Sequence, residues 1–287
     1  MLLSAAHSNR LSEGIVFHLL NPEPLVFPAA METSTEDLLS KVMGEDGDNK
    51  ASNTQAKYSD VDLPEVLQGL RVDRKALLEG MEMSPLGAIS IADLKAVAER
   101  STSGDAPATS SSMSTAHRAV IKVLSIPSLL TLHLREILRN IGGGELKSHD
   151  IAAAERKLLV AAEAAIDALP LAHSDICFRY STTVLQAPQE GMTVAFSCAA
   201  FATTSIEVAY AGIAAATRLT GTLIIIWSKK KGKQCGEYVF VPDADTIVFA
   251  PSTRFAALDQ TTAVVAAERA LGFRPPSSLA VWALEER

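Results

Sequence analysis

Three groups of polar residues in the second half of the chain have side chains that could act on one ligand. Each group stands beside an apolar segment of the kind that forms a β-strand, so that each could be held at the end or on the face of a sheet. The groups are an arginine, a run of hydroxyls and a couple of carboxylates: Arg179; Thr203, Thr204 and Ser205; and Asp243 and Asp245.

Arg179 lies in the otherwise apolar segment 176–180. A guanidinium is costly to bury unless it meets an anion, and a pyrophosphate would satisfy it with paired hydrogen bonds. The alternative is an arginine at a strand edge that pairs with a local carboxylate.

The hydroxyl run Thr203, Thr204 and Ser205 follows a segment with strand character. Such hydroxyls could bond the oxygens of a ribose or fix the backbone around a ligand. The alternative is a turn whose hydroxyls cap the following helix.

Asp243 and Asp245 are separated by one residue, and such carboxylates face the same side when they lie in a strand. One could stabilise an oxocarbenium ion and hold a ribose hydroxyl while the other orients an acceptor. A metal site and a capped turn are the alternatives at this point.

The elements that must position these groups are helices followed by closely spaced strands, which is typical of an α+β fold. Aromatic anchors of the core are expected at Phe178, Phe196, Trp227, Phe240, Phe249 and Trp282. Helices are predicted over 129–141, from a cap among 148–150 to Pro170, over 205–218 and over 259–271, and strands over 176–185, 192–196, 219–227, 237–241 and 246–249.

From about residue 124 to 258 this order resembles the arginine, serine and glutamate class of mono-ADP-ribosyltransferases. The resemblance implies helices packed on a mainly antiparallel core of two sheets, with NAD as the cofactor or substrate and a protein side chain as the acceptor. It implies that Arg179 contacts the NAD phosphates and that Thr203 positions the nicotinamide ribose, with Thr204 and Ser205 beside it.

The chain departs from that class at the catalytic Glu-x-Glu, whose places fall on Ala244 and Thr246 when counted back from Ile247. A shift of one residue brings in Asp243 and Asp245, but this needs a local bulge, because a slip by one residue turns side chains to the opposite face. Two functions follow from the resemblance: an enzyme with Asp245 as its catalytic carboxylate, or a catalytically degenerate binding or assembly module. A self-associating structural protein is the third possibility.

Residues 1–115 carry nine Lys and Arg against 17 Asp and Glu, a net charge of −8. This acidic arm is predicted to be largely disordered, with a Ser/Thr-rich linker at 101–115, and residues 116–287 are predicted to form one folded domain. Apolar residues at helical spacing in 63–78 and 90–100 predict two short helices, which are either transient or fold on docking to a partner or to the body.

Lysines are concentrated between two predicted strands, where Gly232 favours a turn. A hairpin tip of this kind could bind nucleic acid or another polyanionic surface, or it could only keep the sheet edge soluble. The lysines are Lys229, Lys230, Lys231 and Lys233.

Cysteines occur at three positions, Cys177, Cys198 and Cys235, and this odd number without a close pair argues against a disulfide framework. A reducing compartment, cytoplasmic or nuclear, is therefore expected. The cysteines also lack the spacing of a zinc site, so no metal is expected. The short apolar runs near the start of the chain are split at 21–24, and no transmembrane segment is predicted.

Overall fold

The computed structural model describes residues 25–27, 61–73, 89–103, 113–126, 128–142, 151–181, 184–196, 199–215, 220–229, 232–240, 242–251 and 253–287. Within these ranges the chain forms seven helices and nine strands. None of these helices has both the length and the apolar character that crossing a membrane requires.

Several of the described helices begin at a residue whose side chain accepts from one of the first free backbone N–H groups. Asp62 accepts from Glu65 N, Ser114 from His117 N and Asp259 from Thr262 N, and Gly272 ends the last helix with a φ of 76°. The helices are α1 (Leu63–Gly69), α2 (Ile91–Ser103), α3 (Thr115–Leu124), α4 (Leu129–Gly142), α5 (Ala153–Asp167), α6 (Ile206–Ala215) and α7 (Gln260–Leu271).

The nine strands form one sheet in the order β1-β3-β8-β9-β5-β2-β4-β7-β6, in which only β5 and β9 are parallel. The mainly antiparallel α+β class expected from the sequence is therefore confirmed. The strands are β1 (Leu25–Phe27), β2 (Ile176–Ser181), β3 (Thr193–Ala195), β4 (Ala200–Thr203), β5 (Gly221–Trp227), β6 (Lys233–Gln234), β7 (Thr246–Phe249), β8 (Arg254–Ala257) and β9 (Leu279–Glu286).

The resemblance implied two sheets, whereas the nine strands form one continuous sheet whose two halves are joined by few register pairs. Strands β2 and β5 share six register pairs, whereas β2 and β4 share the single pair Phe178 and Thr203. One half therefore ends at β2, and the other consists of β4, β7 and β6.

Alternating side chains of the strands enter three hydrophobic clusters. Ala202 and Ile247 from one half meet Ile224 and Trp282 from the other in a core between the halves. On the opposite face, Phe178 and Ile225 pack with Ala263 and Ala267 of α7. Phe201 and Val248 pack with the helical layer of α1 to α5. Each half of the sheet is thus covered on its outer face by helices.

The two helices predicted in the acidic arm are α1 and α2, and both belong to the helical layer. Leu63, Leu67, Leu94 and Ala98 are fully buried in the cluster that also holds α3 and α5. This arrangement matches the alternative in which the arm segments dock on the body. Both ends of the expected linker also belong to helices, because α2 runs to Ser103 and Ser114 caps α3. The remainder of the arm lies almost entirely outside the described residues.

Most predicted elements of the body have counterparts, with β7 matched at both ends and α7 within one residue. The strand predicted over 237–241 is wrong, because residues 237–240 form turns. Phe240 is 45% exposed and is not a core anchor, whereas Phe249 and Trp282 are buried. Strand β9 was not predicted. Trp227 is half-buried at the end of β5.

Docking of the arm predicts that Leu67→Ala destabilises the full chain. Truncation of a buried leucine typically lowers the free energy of unfolding by about 2 to 5 kcal/mol. Urea unfolding of the full chain measures this, with Gln68→Ala as the control, because Gln68 is the exposed neighbour on α1. Equal unfolding midpoints for the two variants would contradict the packing of α1 on the body.

Candidate functional site

The ladder between β4 and β7 brings the hydroxyl run and the acidic turn together. Thr203 pairs with Thr246 at the end of the ladder. One residue further, Thr204 N donates to Asp245 O at 2.9 Å, and Thr204 Oγ1 lies 3.3 Å from Asp245 Oδ1. Two of the three groups singled out in the sequence therefore touch through Thr204 and Asp245.

The other two hydroxyls stabilise the local backbone. Thr203 Oγ1 is buried and accepts from Ser205 N at 3.1 Å. Ser205 Oγ accepts from Val208 N as the cap of α6 and donates to Glu207 Oε2 at 2.8 Å. A hydrogen bond from its own backbone N–H, together with that from Ser205, lowers the pKa of Glu207. The turn-and-cap alternative thus describes Thr203 and Ser205, and Thr204 is the hydroxyl that contacts the acidic turn.

The acidic residues lie in a turn and not in a strand, because β7 begins at Thr246. Asp243 Oδ1 accepts from Asp245 N at 3.1 Å, and Asp243 O accepts from Thr246 N at 3.0 Å. The expectation that both carboxylates face one side of a strand is therefore wrong. Asp243 caps the turn, and Asp245 is exposed at its outer side.

The turn is held from beneath by β6 and the segment after it. Gln234 Nε2 donates to the carbonyl of Ala244, and Gly236 O accepts from Asp243 N at 3.0 Å. A Cβ at Gly236 would lie 2.1 Å from Asp243 O, so that only glycine allows this approach. These contacts fix the backbone that presents Asp245.

Arg179 faces the core between the two halves of the sheet. Its side chain is 2% exposed, its Cζ lies 4.7 Å from the centroid of the Phe196 ring, and its Nη1 lies 3.5 Å from Phe201 O. Its strand neighbours Phe178 and Tyr180 lie in the cluster on the opposite face. Arg179 therefore points into the core between the halves, and its contact with NAD phosphates stays a prediction.

A cleft of about 570 Å³ opens on the face of the sheet that carries Phe178. Its floor is made by β2 and β5, its wall by α7, and Thr204 lies at its rim. Arg269 is the charged residue among the described residues that line it. The lining residues are Ser174, Ile176, Phe178, Thr204, Ile225, Trp227, Thr261, Thr262, Val265, Ala266, Arg269 and Ala270.

The cleft wall was not singled out in the sequence. A weak signal is present, because Thr262, Ala266 and Arg269 recur at the helical repeat and mark one side of α7. The floor gave no such signal, since Trp227 and Phe178 become neighbours only through the pairing of β2 with β5.

The lysine-rich segment is not a hairpin tip, because β5 pairs with β2 and β9 while β6 pairs with β7. Lys229 Nζ lies 2.9 Å from Glu285 Oε1, and Lys233 Nζ lies 3.3 Å from Asp167 O. Lys230 and Lys231 lie outside the described residues. Binding of polyanions by these lysines stays a prediction.

The two described cysteines, Cys177 and Cys235, are free and buried, and burial raises the pKa of both thiols. Cys198 lies outside the described residues. In the described part of the chain, no group of three or more His, Cys, Asp and Glu side chains is placed to hold a metal ion.

No protein-family model matches the sequence, and no curated protein matches it either. The fold is similar to three solved structures of 13 to 16% sequence identity. Vis toxin, an ADP-ribosyltransferase from Vibrio splendidus, has a TM-score of 0.40, with 78% of this chain and 90% of that chain covered. The eukaryotic mono-ADP-ribosyltransferase ART2.2 has a TM-score of 0.45, with 87% and 92% covered. Exoenzyme S from Pseudomonas aeruginosa, in complex with human 14-3-3 protein beta and bound to carba-NAD, has a TM-score of 0.40, with 79% and 89% covered.

The burial of Arg179 predicts that Arg179→Ala destabilises the fold. The Phe201 carbonyl would lose a donor and the Phe196 ring its cation, so that the free energy of unfolding should fall by about 1 to 3 kcal/mol. Urea unfolding measures this, with Arg274→Ala as the control, because Arg274 is 84% exposed. Unchanged stability with loss of NAD binding would instead place Arg179 in a ligand site.

Proposed function

We propose that this chain is an ADP-ribosyltransferase-like protein that binds NAD where the hydroxyl run meets the acidic turn. The contact between Thr204 and Asp245 carries this proposal, because it places a hydroxyl and a carboxylate together at the rim of a cleft. The order of the sequence motifs, which resembles that of mono-ADP-ribosyltransferases, supports NAD as the ligand. Such a ligand needs hydroxyl and carboxylate partners for its ribose and an aromatic surface for its bases.

The reaction proposed is transfer of ADP-ribose from NAD to a protein side chain. The bond between the ribose C1 atom and the nicotinamide nitrogen breaks, and nicotinamide leaves with the bonding electrons as a neutral molecule. A nucleophile of the acceptor then forms the new bond to C1 and loses a proton. Positive charge develops on the ribose as the old bond breaks, and the carboxylate of Asp245 would stabilise it.

Asp245 is the carboxylate best placed for this role, although it departs from the Glu-x-Glu pattern. Asp243 accepts a hydrogen bond from a backbone N–H within the turn, whereas Asp245 is exposed and its carboxylate contacts the hydroxyl of Thr204. An aspartate is a methylene shorter than a glutamate, and Asp245 stands in a turn before the strand. We therefore expect slow turnover if the chain is an enzyme.

The second candidate is a catalytically degenerate binding or assembly module on the same fold. The observation that favours it is the use of polar groups inside the turns. Thr203, Ser205 and Asp243 each accept a hydrogen bond from a backbone N–H. When hydroxyls and a carboxylate stabilise the backbone in this way, fewer polar side chains remain that could bind NAD or act in the transfer of ADP-ribose.

Binding of NAD to the full chain should raise its melting temperature. A ligand at 100 times its dissociation constant adds about 2.7 kcal/mol to the free energy of unfolding. A thermal-shift titration with NAD measures this, with ATP at equal concentration as the control for binding of any polyphosphate. Absence of a shift at millimolar NAD would contradict the proposed function, and an equal shift with ATP would favour a general polyanion site.

Asp245→Asn separates the enzyme from the degenerate module. The substitution keeps an oxygen for Thr204 but removes the charge, so an active enzyme should lose nicotinamide release by about a hundredfold while NAD binding persists. The matched control is Asp167→Asn, an exposed aspartate at the end of α5. Release at the natural rate by Asp245→Asn would exclude Asp245 from the reaction, and no release by the natural chain would favour the degenerate module.

A further inference from the structure

We infer that the cleft between α7 and the β2–β5 floor holds a planar base and a phosphate of the bound dinucleotide, with Trp227 against the base and Arg269 against the phosphate. This inference rests on the proposed function and names the residues that would recognise the ligand. In this arrangement the cation that contacts the phosphates is Arg269 and not Arg179.

The floor of the cleft is a flat apolar surface of neighbouring strands. Ile176 pairs with Trp227, and Phe178 pairs with Ile225, so these four side chains lie in adjacent rows on one face of the sheet. Ile176 is 39% exposed, and Trp227 is half-buried although it lies in an interior strand of the sheet. An aromatic ring left partly open in an apolar cleft offers a stacking surface to a planar ligand.

The wall of the cleft is one side of α7, and small residues set its distance from the floor. Ala263 and Ala267 are buried against the sheet, so the helix packs closely along that line. Ala266 and Ala270 face the cleft and leave it open. A larger side chain at Ala266 would therefore occupy space that the ligand needs.

Arg269 supplies the charge that a phosphate requires. It is exposed in the last turn of α7 and lines the cleft, whereas Arg179 faces the core on the other side of β2. A guanidinium binds phosphate oxygens through two parallel hydrogen bonds. Because Arg269 is exposed, no free energy is spent on burying its charge before the ligand binds.

Thr204 connects the cleft to the acidic turn. It lines the cleft, and its hydroxyl lies 3.3 Å from Asp245 Oδ1. A dinucleotide that fills the cleft would therefore have one ribose beside Thr204 and Asp245. This connection favours a dinucleotide over a mononucleotide, because Thr204 belongs to the cleft and also contacts the acidic turn.

The first test measures binding of NAD, AMP and adenosine to the full chain by calorimetry. Arg269→Ala should weaken NAD and AMP by about ten- to a hundredfold and leave adenosine unchanged, because a charged hydrogen bond is lost only with phosphate. Arg274→Ala, just beyond the same helix, is the matched control and should change neither. NAD affinity equal in the two variants would overturn the inference, whereas failure of the natural chain to bind NAD would contradict the proposed function itself.

The second test uses the two tryptophans as reporters. Trp227 lines the cleft, whereas Trp282 is 3% exposed in the core between the halves. NAD should quench the fluorescence of the natural chain and of Trp282→Phe, but not that of Trp227→Phe.

Ala266→Phe should abolish NAD binding with an unchanged melting temperature. Undiminished NAD binding by Ala266→Phe, or quenching that persists in Trp227→Phe, would place the ligand outside the cleft.

Discussion

The single register pair between Phe178 and Thr203 is the constraint on which the rest of the site depends. It is the joint between two halves of the sheet, which otherwise share a core of alternating apolar side chains. Because paired residues face the same side, this joint sets the hydroxyl run beside the cleft floor. The β4–β7 ladder then carries the acidic turn to the same place.

The alternation of side chains along β2 decides what each residue can bind. Phe178 faces α7 and the cleft, so Arg179 must face the core between the halves. The buried guanidinium contacts an aromatic ring and a backbone carbonyl there. An arginine in an apolar strand thus has an explanation within the fold, and the cationic residue at the cleft comes from a helix near the end of the chain.

Local patterns were sufficient to predict the elements with strong start or stop signals, such as α4, which ends at Gly142, and α7, which follows Asp259. They were insufficient for β9, whose parallel partner β5 is distant in the chain, with Gly221 paired to Leu279. The resemblance placed the hydroxyl run and the acidic residues in one site but did not identify the contact of Thr204 with Asp245, and the turn around Asp243 depends on β6 and Gly236. Arg269, for which we propose a role in binding phosphate, was not singled out because a charged residue on an amphipathic helix is normally a solvated one.

Several polar side chains at this site satisfy backbone N–H groups with oxygens that a ligand would also need. The side-chain oxygens of Thr203, Ser205 and Asp243 accept hydrogen bonds from backbone N–H groups and so stabilise the turns. These oxygens are therefore less available to a ligand. Rigid placement benefits Thr204 and Asp245, because a ligand that meets a fixed frame loses less ordering entropy on binding. The same backbone arrangement places Asp245 in the turn before β7, and its side chain is one methylene shorter than that of a glutamate. The proposed binding of a dinucleotide and the slow or absent chemistry expected with it would therefore be two consequences of one arrangement of the backbone.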